Sequence, residues 1–216
     1  MNSWLCKVIL IPSLSFIAWS SSAQARDIRV IGDSVFALSG EITRELVRLS
    51  ELPILSHARN GAKMAGIRQQ YLNIRDEPIT TMVMDGGGND VLLGANQDCR
   101  SVNDRCKEVI ENAVEILEEL LVEMHEDGVQ HVVLLGYYYP TGWQKALGKA
   151  VDYANPYIFQ ACESAEIHCV VVDPRERFAG RYGLITWDGI HPTDKGSREL
   201  AGMLWHAFIE HGIEQD

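Results

Sequence analysis

Short apolar runs recur along the chain from residue 28 onward, and each is separated from the next by a longer, partly polar segment. Runs this short that are rich in Val, Ile and Leu are typical of strands buried on both faces of a sheet. The pattern predicts five strands, at Ile28–Ile31, Ile54–Ser56, Ile79–Met84, His131–Tyr137 and His168–Val172.

The segments between these runs carry apolar residues at helical spacing. The clearest stripe lies between Val109 and Met124 and ends at Gly128, a residue that commonly follows a helix. Further helices are predicted at 35–49, at 62–71, at 144–166, either continuous or broken near Pro156, and from Pro192 to about residue 211.

Alternating strands and helices indicate a parallel sheet with helices on both faces. The predicted fold class is therefore α/β, a three-layer α/β/α arrangement that resembles flavodoxin, with one five-stranded parallel sheet. We see no internal repeat or linker, so a single domain over residues 26–216 is expected. In such sheets, ligands bind outside the carboxyl ends of the strands.

The first 25 residues have the pattern of a secretory signal peptide. Lys7 precedes an apolar stretch from Val8 to Trp19, and Ala23-Gln24-Ala25 matches a cleavage site, so cleavage after Ala25 and a secreted or periplasmic protein are predicted. The alternative is an uncleaved N-terminal anchor, although the stretch is shorter than the roughly 20 residues of a membrane span. Cys6 lies before the apolar stretch, which argues against a lipoprotein.

The charge of the chain excludes one large class of partners. The formal net charge is −11, and it becomes −12 when the signal peptide with its single charge, Lys7, is removed. Because phosphates repel such a protein, nucleic-acid binding is not expected.

Four cysteines remain after the predicted cleavage, and an even number in an exported chain favours disulfides. The local pairs Cys99–Cys106 and Cys162–Cys169 are favoured among the three connectivities, with free buried thiols as the alternative. The spacing of these cysteines does not match a metal-binding pattern, and neither a metal nor a cofactor is expected.

Four short segments carry the candidate chemistry. Gly32-Asp33-Ser34 follows the first predicted strand, while Asp188 and His191 lie just before the last helix, where they are able to orient and activate a serine. Asn60-Gly61 and Gly87-Gly88-Asn89-Asp90 supply candidate donors for a developing oxyanion. Taken alone, each has another interpretation: a serine that caps a helix, a flexible glycine turn, or a capping histidine.

Together these segments resemble the SGNH/GDSL hydrolase superfamily, whose name records Ser, Gly, Asn and His in separate sequence blocks. The first block matches 31–34 with Val35 where the GDSL label has Leu, the second resembles 59–62, the third matches 87–90, and the fifth matches Asp188-Gly189-Ile190-His191-Pro192. The resemblance extends over nearly the whole predicted mature chain.

The resemblance implies a serine esterase. Ser34 would be the nucleophile, His191 the base and Asp188 its orienting acid, and the oxyanion hole would consist of the Ser34 and Gly61 N–H groups and the Asn89 amide. Asp33 and Asp90 are interpreted as supports for their loops.

A small-molecule, lipid or saccharide ester is the expected substrate. The alternatives on the same scaffold are a carbohydrate O-acetyl esterase, an O-acyltransferase and a lysophospholipase or thioesterase. A binding protein without catalysis is a further alternative, against which the intact four blocks argue.

Overall fold

A five-stranded, fully parallel sheet forms the centre of the protein in a computed structural model that describes residues 27–93 and 99–213. In chain order, its strands are β1 Ile28–Ile31, β2 Ile54–Ser56, β3 Thr81–Met84, β4 His131–Leu135 and β5 His168–Val172. The five predicted strands are confirmed, with β3 beginning two residues later and β4 ending two residues earlier than the apolar pattern indicated.

The strand order is β2-β1-β3-β4-β5, which is the flavodoxin-like order. The chain therefore changes direction across the sheet between β1 and β3, where crevices at the carboxyl ends of the strands usually bind ligands. The predicted fold class is confirmed.

Eight α-helices surround the sheet within the described residues. They are α1 Ser34–Ala37, α2 Glu41–Ser50, α3 Met64–Leu72, α4 Gly88–Leu92, α5 Asp104–Glu126, α6 Gly148–Ser164, α7 Arg175–Phe178 and α8 Asp194–Glu210. Two 3-10 segments, Gly142–Leu147 and Tyr182–Leu184, lie in the connections.

The sheet separates two apolar cores. Along β1, Ile28 and Val30 face the core formed with α2 and α8, whereas Ile31 faces the core formed with α3, α5 and α6. This alternation follows from the two-residue period of a strand, and both faces are covered because every residue of β1 is buried.

The helix predicted over 35–49 is wrong as a single element. It is divided into α1 and α2 at Gly40, whose φ of 65° lies in the left-handed region and interrupts the helical backbone. Near Pro156 the continuous alternative is observed, since α6 continues through this exposed proline. The last helix begins at Asp194 rather than Pro192, because the Thr193 side chain caps it by accepting the Gly196 N–H at 3.2 Å.

Two disulfides join the local cysteine pairs that the sequence favoured, Cys99–Cys106 and Cys162–Cys169. The first lies at the start of α5, and the second joins α6 to β5. The predicted signal peptide, 1–25, lies outside the described residues. Among the helices of the described part of the chain, none is both long and apolar enough to cross a membrane.

Candidate active site

Ser34 lies in a tight turn directly after β1. The backbone of Gly32 is held by the Gln70 side chain, which accepts the Gly32 N–H at 2.8 Å and donates to the Gly32 carbonyl at 2.9 Å. A Cβ at residue 32 would lie 2.0 Å from Oδ1 of Asp85, so only glycine fits this turn. Asp33 caps α1 by accepting the Val35 N–H at 2.9 Å, which leaves the Ser34 hydroxyl available for another partner.

The partner of the Ser34 hydroxyl is His191. Nε2 of His191 lies 2.8 Å from Oγ of Ser34, and Nδ1 lies 2.7 Å from Oδ2 of Asp188. The structure thus brings together three residues, of which Ser34 and His191 are 157 positions apart in the sequence. Both distances fit the tautomer that donates from Nδ1 to Asp188 and accepts the serine proton at Nε2.

Asp188 is held by four donors. Its Oδ1 accepts the Thr186 hydroxyl at 2.6 Å and the N–H groups of Ile190 at 2.8 Å and His191 at 3.0 Å, while Oδ2 contacts the His191 ring. Partial burial by itself raises the pKa of Asp188, but the hydrogen bonds from Thr186 and His191 outweigh it and hold the pKa well below its usual range. The carboxylate therefore stays ionised beside the imidazole.

A short antiparallel bridge shapes the segment that carries Asp188 and His191. Ile185 pairs with Pro192, and the Thr186 N–H donates to the His191 carbonyl at 2.8 Å. Gly189 closes the turn with a φ of 78°. The sequence analysis missed Thr186, because no motif marks a hydroxyl two residues before the acid.

Two of the predicted oxyanion donors have free N–H groups. Among residues 27–93 and 99–213, no protein acceptor is bonded to the backbone N–H of Ser34 or of Gly61. Gly61 has a φ of 73°, and the nearest atom to an added Cβ is 3.9 Å away, so backbone conformation rather than crowding within the protein requires the glycine.

The Asn89 side chain lies beside the same turn, but its amide is already engaged. Nδ2 donates to Oδ2 of Asp33 at 3.2 Å and to the carbonyl of Ala62 at 3.1 Å. An oxyanion would therefore share or replace one of these bonds. No sequence motif predicts that Asp33 and Ala62 compete with an oxyanion for the Asn89 amide.

A buried polar network lies behind the serine turn. Asp33 donates its N–H to Oδ1 of Asp85 at 2.8 Å, and its Oδ2 accepts the Tyr137 hydroxyl at 3.2 Å. That hydroxyl in turn accepts the Gly88 N–H at 3.0 Å, which joins the β1 turn to the β3 turn. The sequence analysis did not assign a role to Asp85 or specify one for Tyr137.

Burial and the negative charge of Asp33 raise the pKa of Asp85 well above its usual value. The same two causes raise the pKa of Tyr137. Both shifts favour the protonated form of these two buried groups behind the serine.

Asp90 supports its loop, as interpreted from the sequence. Its Oδ2 accepts the Met64 N–H at 2.8 Å and so connects the third block to the start of α3, close to Gly61. Burial raises the pKa of Asp90.

The aromatic segment, residues 136–143 after β4, makes hydrogen bonds that hold the loop carrying Asp188 and His191. Tyr138 donates to the Ile190 carbonyl at 2.5 Å, and Trp143 donates from Nε1 to the Asp188 carbonyl at 3.1 Å. The Thr141 N–H also donates to the Gly189 carbonyl at 2.9 Å.

Among the remaining histidines, His57 directly follows β2 at the carboxyl end of the sheet, where its N–H donates to the Val30 carbonyl at 2.7 Å. His131 and His168 begin β4 and β5, at the edge of the sheet opposite the site, and their Nδ1 atoms are 2.9 Å apart. In the part of the chain that the structure describes, no group of three or more His, Cys, Asp or Glu side chains is arranged to hold a metal ion.

The structure is similar to solved structures of ester-cleaving proteins. A lipase from a goat rumen metagenome has a TM-score of 0.68 and 18% identity, over 84% of this chain and 97% of that chain. A variant of an acetyl-xylooligosaccharide esterase from Geobacillus has a TM-score of 0.65 and 18% identity, over 85% and 95%. A member of the lipolytic G-D-S-L family from Veillonella parvula has a TM-score of 0.63 and 17% identity, over 86% and 99%.

These similarities establish that the chain has the fold of the SGNH/GDSL hydrolases. No family model matches the sequence. A search of curated proteins likewise finds no significant match.

Proposed function

We propose that this protein is a serine esterase that hydrolyses carboxylic (acyl) esters through an acyl intermediate on Ser34. The observation that carries the proposal is the continuous hydrogen-bond chain from Ser34 through His191 to Asp188, with distances of 2.8 Å and 2.7 Å. A hydroxyl needs a base within this distance to act as a nucleophile near neutral pH.

The acylation step begins when Oγ of Ser34 attacks the ester carbonyl carbon and its proton moves to Nε2 of His191. The negative charge then lies on the former carbonyl oxygen, where the N–H groups of Ser34 and Gly61 and the Asn89 amide stabilise it. When the tetrahedral species collapses, the bond to the alcohol oxygen breaks, and the alcohol leaves with the proton from His191.

The deacylation step repeats this sequence with water. His191 removes a proton from water, the hydroxide adds to the acyl carbon, and the bond to Ser34 breaks as the serine regains a proton from His191. Ionised Asp188 stabilises the imidazolium in both steps and holds the ring in the reactive orientation.

The proposal includes export. The pattern over residues 1–25 predicts a signal peptide cleaved after Ala25, and two disulfides agree with an oxidising compartment. The protein would act outside the cytoplasm, in the periplasm or beyond the cell.

Ser34→Ala and His191→Ala test the proposal, with p-nitrophenyl acetate as the substrate. Each variant should lower kcat by about 10³-fold or more, because each removes a member of one catalytic unit. Asn89→Ala should lower kcat by about 10²–10³-fold.

The matched controls are Ser164→Ala and His206→Ala, which change an exposed serine and an exposed histidine distant from these residues in sequence. Both should retain the activity of the parent protein, and circular dichroism should show the native fold in all variants. Undiminished turnover in Ser34→Ala or in His191→Ala contradicts the proposal.

A further inference from the structure

An apolar cavity of about 100 Å³ adjoins the candidate active site, and Ser34 and Asn89 form part of its lining. The other lining side chains come mainly from α4, α5, α6 and the aromatic segment, and nearly all of them are apolar. A space this apolar offers almost no partner for water, so it favours a hydrocarbon over a hydrated group.

Small side chains on two neighbouring helices create this space. Ala113 on α5 and Ala150 on α6 both line the cavity, and both are buried. Ala113 lies across from the glycine turn after β3, since a Cβ built at Gly87 would be 3.8 Å from its methyl group. A larger residue at 113 would therefore occupy the cavity close to the reacting serine.

Leu117 and Ile158 form the deep wall. They line the cavity and also a second void of about 10 Å³, which is bounded further by Met84 and Leu134 of the sheet. Met64, Gly86 and Tyr137 line both spaces as well. Leu117 and Ile158 therefore belong to the wall between the cavity and the core on the side of α5 and α6.

We infer that this cavity binds the acyl chain of the substrate and selects linear aliphatic acyl groups of about six carbons. The inference rests on the proposed function, because the chain reaches the cavity only when its carbonyl carbon is at Ser34. An apolar void lowers the stability of a protein, and this cost is more readily explained when the void serves to bind a ligand.

The volume sets the preferred length. An apolar cavity of roughly 150 Å³ holds a six-carbon benzene ring, so about 100 Å³ holds roughly four carbons. With the carbonyl carbon and its neighbour at the mouth, the acyl group has about six carbons. Each methylene that enters apolar surroundings should raise kcat/KM by roughly fourfold, until the deep wall is reached.

Esters of p-nitrophenol with acetyl, butanoyl, hexanoyl, octanoyl and dodecanoyl groups test the inference. Hexanoate has four more methylenes than acetate, so the parent protein should show a kcat/KM that rises by about 250-fold from acetate to hexanoate and falls by dodecanoate. The ratio of hexanoate to acetate hydrolysis is the readout, because it is insensitive to the amount of active enzyme.

Two substitutions should shift the preferred chain length in opposite directions. Ala113→Phe should lower the ratio of hexanoate to acetate hydrolysis by about tenfold or more, and Leu117→Ala should shift the optimum to octanoate or longer by joining the two voids. Ala113→Val and Leu117→Val are milder versions that should shift the preferred length in the same directions if the first pair fails to fold. Leu120→Ala is the matched control, because Leu120 is equally buried on α5 and does not line the cavity.

The possible outcomes separate the inference from the function on which it rests. If the parent protein is fastest on acetate, or if substitutions at 113 and 117 leave its order of chain lengths unchanged, the inference is wrong. If Ser34→Ala loses acetate hydrolysis in the same assays, the esterase proposal stands even where the inference about chain length is wrong. Retained hydrolysis in Ser34→Ala would instead overturn both.

Discussion

Asp33 connects three parts of the candidate site through one side chain. One carboxylate oxygen caps α1 at Val35, and the other accepts hydrogen bonds from Asn89 and Tyr137. The nucleophile turn and the amide proposed for the oxyanion hole are thus positioned by the same group. A residue of this kind acts through its neighbours and not on the substrate.

Asp85 is the buried acid behind this group, and its raised pKa has a consequence for stability. A carboxyl whose pKa rises on folding binds more protons in the native state than in the unfolded state, at pH values between its two pKa values. The free energy of unfolding therefore falls as the pH rises above the unfolded value of about 4.

Asp85→Asn should remove this loss, because an amide keeps an acceptor oxygen for the Asp33 N–H and carries no charge at any pH. We expect the variant to gain stability relative to the parent protein as the pH rises from 5 to 8. Urea unfolding at both values measures this difference.

Asp76→Asn is the matched control, since Asp76 is exposed, and its effect should be the same at pH 5 and pH 8. A variant at residue 85 whose stability relative to the parent protein falls between pH 5 and pH 8 would contradict the raised pKa of Asp85.

The elements differ in how well the sequence predicted them. The five strands are found within two residues because their apolar runs are too short for helices and are rich in β-branched Val and Ile. α4 and α7 were missed, since helices of five and four residues contain too few turns to show a periodic pattern.

The residues of the candidate site also differ in how well the sequence predicted them. The motifs located Ser34, Asp188 and His191, and the structure brings these three side chains into hydrogen-bond contact. Thr186, Asp85 and the contacts of Tyr137 were not predicted, because they depend on which distant segments meet at the edge of the sheet. Pattern and spacing along a single chain carry no information about such contacts.

The left-handed backbone conformation of Gly40, between α1 and α2, can be tested by substitution. Its φ of 65° is strained for a residue with a Cβ, so Gly40→Ala should lower the free energy of unfolding by about 1 kcal/mol. Gly202→Ala should raise it by about 0.5–1 kcal/mol, because this glycine lies within α8 and nothing lies within 4 Å of an added Cβ.

Urea unfolding of the two variants measures both changes. The pair controls itself, since the same chemical change is made in both cases and only the backbone conformation differs. Equal shifts of the same sign would contradict the left-handed conformation at residue 40.

At the scale of the whole molecule, two disulfides constrain segments beside different elements. Each closes a loop of seven residues, for which chain entropy gives a stabilisation of about 2–3 kcal/mol. Cys99 and Cys106 pack with Ile110, Leu147 and Ala150, which also line the apolar cavity.

Replacing Cys99 and Cys106 together by Ala should therefore lower Tm by about 5–10 °C and also weaken the preference for hexanoate over acetate. The corresponding double variant at Cys162 and Cys169 is the control, and it should lower Tm without changing the preference. Thermal unfolding and ester hydrolysis measure the two effects. A Tm that reductant leaves unchanged, together with four titratable thiols, would contradict both disulfides.

The separation of Ser34 from His191 by 157 positions also affects when activity arises during synthesis. A ribosome that adds about 5–20 residues per second needs roughly 8–30 s to pass from the first residue to the second. Until then the emerging polypeptide holds a hydroxyl without its proton acceptor, and it is chemically inert toward esters. Under the proposed mechanism, turnover would therefore appear only in molecules whose translation has passed His191.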